Sequence, residues 1–275
     1  MPKKKKIRKV VIVAIFNQSG GVGKSTLTMN LGYHLSLRKQ KVLLVDMDPQ
    51  GSLTDFMGLD PWELEQTIYQ SIMLGDPLPI HCDMNGVDLV PSNVDLCGAE
   101  AELIVADMRE TRLKKALAKI QEQYNFILID CPPSLGVLSY ISLVAATHIL
   151  VPIQAQYKAL RGTGLLFKTI QRVRAGANPE LQIAGFVPTM YEGHKSQHGR
   201  SLDSIQSQLG QVSTVFPVIP SATAFADSQE EHKPLALYDP KHPIITPPKD
   251  KNGKSTKKKE DMPFEVLTKG VLSLA

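Results

Sequence analysis

The stretch Asn17-Gln18-Ser19-Gly20-Gly21-Val22-Gly23-Lys24-Ser25-Thr26 constrains this chain more than any other. Before it runs Val10-Val11-Ile12-Val13-Ala14-Ile15-Phe16, apolar, rich in β-branched residues and short enough for a buried strand. After it Leu27, Leu31 and Leu35 recur at helical spacing and draw one apolar stripe. Strand, glycine-rich loop and helix, in that order, are the setting a phosphate-binding loop requires. The glycines let successive backbone N–H groups turn inward around an anion, and the helix N-terminus adds partial positive charge. Lys24 can then reach the β- and γ-phosphates, and the Ser25 hydroxyl a Mg²⁺ ion. The pattern departs from the common G-x-x-x-x-G-K-[ST]: position 18 is Gln18, and the glycines sit as the pair Gly20-Gly21.

Two further apolar runs end in acids. Lys41-Val42-Leu43-Leu44-Val45 delivers Asp46-Met47-Asp48-Pro49-Gln50-Gly51 to the C-terminal edge of a strand, where ligands of doubly wound sheets gather. Asn125-Phe126-Ile127-Leu128-Ile129 ends in Asp130, then Cys131-Pro132-Pro133-Ser134, a Walker B-like element whose acid would hold a Mg²⁺-bound water.

The rest of the chain alternates. Periodicity predicts helices over 61–76, 99–106, 109–123, 157–174 and 196–209, and strands over 87–92, 148–153, 181–188 and 215–220; 77–86 reads as irregular. The expected fold is α/β: a doubly wound, mostly parallel twisted sheet with helices on both faces, in a single domain spanning 1–275. Residues 1–9 read as a basic tail, 246–261 as a flexible basic loop, and Pro263 to Leu274 as a closing apolar helix.

Hydrophobic content of 43% supports a real core, and a net charge of +4 is too small to argue for nucleic-acid binding by itself. The three cysteines, Cys82, Cys97 and Cys131, form no C-x-x-C pair, which favours a reducing compartment. Cys97 and Cys131 are expected to be inert core thiols, and an iron–sulfur role is disfavoured. No stretch approaches the ~20 apolar residues of a membrane span, so a cytoplasmic location is expected.

Together these motifs, with Ile219-Pro220 and Leu237-Tyr238-Asp239-Pro240 as late landmarks, resemble the ParA/MinD family of deviant Walker ATPases over about residues 9 to 242. The resemblance implies ATP and Mg²⁺ as cofactors, a homodimer with ATP sandwiched between copies, and release on hydrolysis. It places Ser19, Gly20, Gly21, Val22, Gly23 and Lys24 around the phosphates, and Thr26 on the α-phosphate. Ser25, Asp46, Asp48 and Asp130 would stand around Mg²⁺: Ser25 would ligate it, Asp130 would hold its shell and Asp46 would assist. Asp48 would also orient the attacking water, with Lys24 and Asp48 as catalytic groups. Pro217, Ile219 and Pro220 would border the adenine.

One position departs. Family members usually carry a lysine before the glycine pair that crosses to the partner's phosphates; here it is Ser19. Lys158, just after a strand, is expected to supply that charge in trans as a catalytic group. Serine at this place resembles the branch of the family that spaces carboxysomes on the nucleoid. That branch implies non-specific DNA and an adaptor protein on the cargo as partners, with Lys168, Arg172, Arg174, Lys195 and Arg200 as candidate DNA contacts. A plasmid or chromosome partition ATPase with a centromere-binding partner is the alternative. A MinD-like membrane role is weaker, since the terminal helix carries only one lysine, Lys269.

Overall fold

In the computed structural model, which describes residues 9–250 and 254–275 apart from the side chains of 157–161, one seven-stranded sheet organises the chain. Its strands are Val11–Ile15 (β1), Val42–Asp46 (β2), His81–Met84 (β3), Val87–Val90 (β4), Phe126–Asp130 (β5), His148–Gln154 (β6) and Gln182–Thr189 (β7). They lie in the order β3-β4-β2-β5-β1-β6-β7, every pair parallel except β3–β4. The helices are Lys24–Ser36 (α1), Ser52–Phe56 (α2), Ile68–Met73 (α3), Asp95–Val105 (α4), Arg112–Ala118 (α5), Val137–Ala145 (α6), Tyr157–Ala175 (α7), Ser196–Leu209 (α8), Ala224–Glu230 (α9), Leu235–Tyr238 (α10) and Pro263–Leu272 (α11).

Every residue of β1, β2 and β5 is buried, because helices cover both faces and leave no polar side to alternate. Strand parity still divides the core. Val13, Leu44 and Leu128 join the α1 and α11 side, while Ala14, Val45 and Ile129 join the side of α4 and α6.

Four expectations fail locally. The helix expected over 61–76 shrinks to α3, which starts at a Thr67–Gln70 capping box; Trp62, within the expected range, is 82% exposed. The supposedly irregular 77–86 contains β3, whose four residues are all partly or fully exposed on the sheet edge and so carry no apolar signal. The helix over 109–123 is broken into α5 between two 3-10 turns. The last predicted strand, 215–220, is a string of isolated bonds to β7 and the residues after it, since Pro217 and Pro220 have no N–H to complete a ladder. That segment presses close at Gly185 (φ 155°), where a Cβ would stand 2.5 Å from the Phe216 ring.

Cys131 is buried, but Cys97 is exposed, which corrects its reading as a core thiol: the buried face of α4 is Leu96, Ala99 and Leu103. Residues 1–8, most of the expected basic tail, lie outside the described residues, as do 251–253 of the expected basic loop. The flanks of that loop meet in an antiparallel bridge, Lys249 to Ser255. Among the described residues no helix is long and apolar enough to cross a membrane.

The closing helix α11 buries Phe264, Leu267 and Val271, with His34 of α1 stacked on Phe264 at 5.1 Å and Arg38 paired with Glu265. Its apolar face is therefore already used. Burial pushes the His34 imidazole down to about 4, against the opposing pull of Glu265. Between about pH 6.5 and 4 the unfolded chain takes up a proton that folded His34 refuses, so this stability contribution is lost as pH falls. The size is about 3 kcal/mol at full effect. Raised carboxyls elsewhere pull the opposite way, so the expected signature is a difference: the urea midpoint of wild type falls relative to that of His34→Leu as pH drops from 7.5 to 4.5.

Candidate phosphate and metal site

The register of the central strands builds the site. Ile15 lies opposite Asp130 and Asp130 opposite Asp46, so β1, β5 and β2 end at one level. The glycine loop leaves β1 there and is tied outward to its neighbours. Asn17 Nδ2 donates to the Pro152 carbonyl at 2.7 Å, while Asn17 Oδ1 accepts from the Ser19 N–H at 2.9 Å. Gln154 Nε2 donates to the Gly21 carbonyl (3.1 Å) and Thr189 Oγ1 to that of Val22 (3.0 Å). With the Gly21 and Val22 carbonyls held toward β6 and β7, the amides that follow them are free to turn to an anion in the loop. Gly21 and Gly23 take φ of 67° and 82°, a left-handed region that L side chains rarely adopt. Gly23 is also the N-cap of α1 and gives it no side-chain cap, so the first-turn N–H groups stay available to an anion.

Lys24 folds back over the loop, 6% exposed, with Nζ donating to the Ser19 carbonyl at 3.1 Å. Burial lowers its pKa, and Asp130 is the first of the neighbours that raise it. Asp130 is completely buried, and neither carboxylate oxygen has a hydrogen-bond partner. Burial and then Asp46 push its pKa well above the usual range, while the Ser25 hydroxyl, which lies close by but outside hydrogen-bond geometry, and Lys24 work the other way. An orphaned hard oxygen donor beside a serine hydroxyl, at the foot of an anion-binding loop, fits Mg²⁺.

The two acids after β2 behave differently. Asp46 spends both oxygens inside the protein: Oδ1 accepts from the Asp48 N–H (3.0 Å), Oδ2 from the Thr54 N–H (2.9 Å) and hydroxyl (2.8 Å). Burial pushes its pKa up to about 7 against those bonds. Thr54 in turn accepts from the Ser92 N–H, and the Ser92 hydroxyl donates to the Asp48 carbonyl at 2.7 Å. Asp48 is thus held by its backbone, with Oδ1 accepting from the Gln50 N–H (3.0 Å); burial raises its pKa, with Gln50 and Lys24 opposing.

Ser19, Gly20, Val22, Ser25 and Thr26 all lie on this loop and the first turn of α1. Ile219 is buried and bonded by its N–H to the Pro188 carbonyl (2.8 Å), with Pro217 and Pro220 half-buried beside it. A cavity of about 530 Å³ opens elsewhere, on the Asp48 side, lined by Gln50, Asp55, Trp62 and His232 among others. It has none of the three adenine candidates in its wall. Lys158 belongs to the first turn of α7, but its side chain lies outside the described residues. Gln18 ties α7 to the loop through the Gly162 carbonyl at 2.7 Å.

The reading from sequence missed Thr54, Ser92, Gln154 and Thr189. A signal existed for three of them: each is the first polar residue at or just past the end of an apolar parallel strand, as Asp46 and Asp130 are.

A family profile described as an AAA domain matches residues 10–183. The sporulation initiation inhibitor protein Soj of Bacillus subtilis is 36% identical over 234 residues, 84% of this chain and 92% of Soj. The chromosome partitioning protein ParA of Myxococcus xanthus is 37% identical over 232 residues, 83% of this chain and 81% of that protein. The chain belongs to the ParA/MinD family. Its seven-stranded sheet is the P-loop architecture of these ATPases. Cobyrinic acid a,c-diamide synthase from Mycobacterium smegmatis, with bound ADP and magnesium, aligns with a TM-score of 0.73 at 36% identity, over 81% of this chain and 92% of its own. The ATP complex of a Cyanothece McdA variant aligns with a TM-score of 0.80 at 23% identity, over 96% and 97%, a likeness of fold alone.

Proposed function

We propose that this chain is a Mg²⁺-dependent ATPase that dimerises around ATP, binds DNA without sequence preference and positions a cargo whose adaptor triggers hydrolysis. The observation that carries the reading is the buried, unpartnered Asp130 carboxylate beside Ser25 and Lys24, under the uncapped N-terminus of α1. Bound there, Mg²⁺ would neutralise charge shared between the β- and γ-phosphates. Ser25 would ligate it, Asp130 would hold its water, and the loop amides with Lys24 would hold the phosphates. Asp48 orients and deprotonates the attacking water. Asp46, its oxygens already committed, braces the Asp48 turn instead of touching metal.

Charge distribution supports DNA binding on the β7 side. From Val42 to Met108 the chain has no lysine or arginine, so all 31 lie elsewhere. Lys168, Arg172 and Arg200 are exposed on α7 and α8. Arg174 and Lys195 are partly engaged, with the Leu181 carbonyl (2.7 Å) and Glu192 (2.6 Å). Sedimentation with and without Mg²⁺ and ATP, followed by a salt titration of duplex binding, tests the proposal. A monomer under all conditions, or binding without a steep salt slope, overturns it.

The cargo assignment rests on Ser19. A neutral residue there leaves the partner's γ-phosphate without the family's usual lysine, as the carboxysome-positioning McdA reading requires, with an McdB-like adaptor and a nucleoid location. Lys158 replaces that lysine in trans. Lys158→Ala is expected to lower ATP turnover at least tenfold and to weaken the ATP dimer, read by sedimentation; unchanged values remove Lys158 from the mechanism. A second reading, chromosome or plasmid partition with a centromere-binding partner, is favoured by the higher identity to Soj and ParA. The neighbouring reading frame, carboxysome component or centromere-binding protein, separates the two.

A further inference from the structure

We propose that Gln229 fixes the direction of the Thr26 hydroxyl and aims its proton into the phosphate site. Gln229 Nε2, on α9, donates to Thr26 Oγ1 at 2.6 Å across 203 positions of sequence. A hydroxyl has one proton; once its oxygen accepts from an amide, that proton must go to a different acceptor. In a helix the default acceptor is the carbonyl four residues back. Thr28, two residues along the same helix, takes that default and donates to the Lys24 carbonyl at 2.9 Å. For Thr26 the corresponding carbonyl belongs to Val22, which accepts from Thr189 Oγ1 and keeps one lone pair, so this default competes with the phosphate side unless the Gln229 amide pins the Thr26 oxygen. With the oxygen so pinned, the proton on this proposal goes to the phosphate side.

The same turn of α1 is fastened a second time. Asn30 Nδ2 donates to the Thr26 carbonyl at 2.8 Å, and Asn30 Oδ1 accepts from the Leu235 N–H at 2.8 Å. Two side chains therefore join the nucleotide-facing turn to α9 and α10. Gln229 acts through Thr26 as a positioning residue, and occupancy of the phosphate site is felt in the α9–α10 segment. This rests on the reading of the glycine loop as a nucleotide site, and the test separates the two.

Calorimetry with Mg²⁺·ADP on the full chain, with a melting temperature for each protein, compares wild type, Gln229→Ala, Thr26→Val and the double variant. Gln229→Ala frees the hydroxyl to swing back toward Val22 and is expected to weaken Mg²⁺·ADP about three- to tenfold. In the Thr26→Val background the same change is expected to alter affinity by less than about 1.5-fold, since no hydroxyl is left to orient. Gln229→Glu, an acceptor that captures the proton and adds negative charge, is expected to weaken binding more than Gln229→Ala. Equal losses in both backgrounds would make Gln229 a packing residue of α9 and overturn the proposal, as would no loss in either. A wild type that binds no Mg²⁺·ADP defeats the nucleotide reading itself.

Discussion

Asp130→Asn is expected to abolish Mg²⁺-dependent ATP turnover and, in the same protein, to raise the melting temperature of the nucleotide-free chain. The two effects share one cause. Asp130 is fully buried with both oxygens unpartnered, so the empty protein holds a carboxyl that burial and Asp46 keep above its normal range. An isosteric amide is no better partnered, but it is neutral at every pH, so it escapes the cost of keeping a proton on the buried acid. The gain should grow as pH rises from about 5 to 8. The unfolded wild type releases its proton near 3.8 while the folded acid holds its proton to higher pH, so wild-type stability declines as pH rises above the unfolded value. An asparagine does not titrate. With nucleotide present the balance inverts, because Mg²⁺ needs a negative oxygen there, and a loss of turnover on the order of 10²-fold or more is expected. Melting curves at both pH values and a turnover assay decide it. A variant that melts lower at pH 8, or still turns over ATP with Mg²⁺, would falsify the assignment of Asp130 to the metal.

Asp48→Asn separates chemistry from binding. Turnover is expected to fall about 10²- to 10⁴-fold, the range for loss of a general base. Affinity for Mg²⁺·ADP should stay within about threefold of wild type, since Asp48 is set in place through its backbone. Asp46 accepts from its N–H and Ser92 donates to its carbonyl, and an asparagine Oδ1 can still accept from Gln50. The variant should therefore accumulate as an ATP-bound dimer. A parallel loss of ADP affinity and turnover would show instead that Asp48 shapes the pocket.

Much of this was legible in the chain because local physics and global role coincide. The strand–loop–helix of residues 10–36 needs no distant partner to be recognised: a β-branched run, two glycines at left-handed φ and a leucine stripe each state their own conformation. Asp46 and Asp130 announced themselves as acids ending apolar runs. Where the reading failed, the deciding interaction was remote or the segment too small. β3 is a four-residue edge strand, α3 starts only at Ile68 behind the Thr67 cap, and the prolines of 215–220 permit bonding to β7 only at alternate places.

By itself the sequence determined the fold class, the strand–glycine loop–helix at 10–36 and the two acidic strand ends, since each depends on residues a few positions apart. Only the tertiary structure decided what those groups meet. Asp46 is consumed by Thr54 and the Asp48 turn, Asp130 is left without a partner, and Thr26 is held by a glutamine 203 positions away. Composition and periodicity specify where a side chain can go. Which donor faces which acceptor at 3 Å follows from how the parallel strands are registered, and that register is a property of the packed sheet.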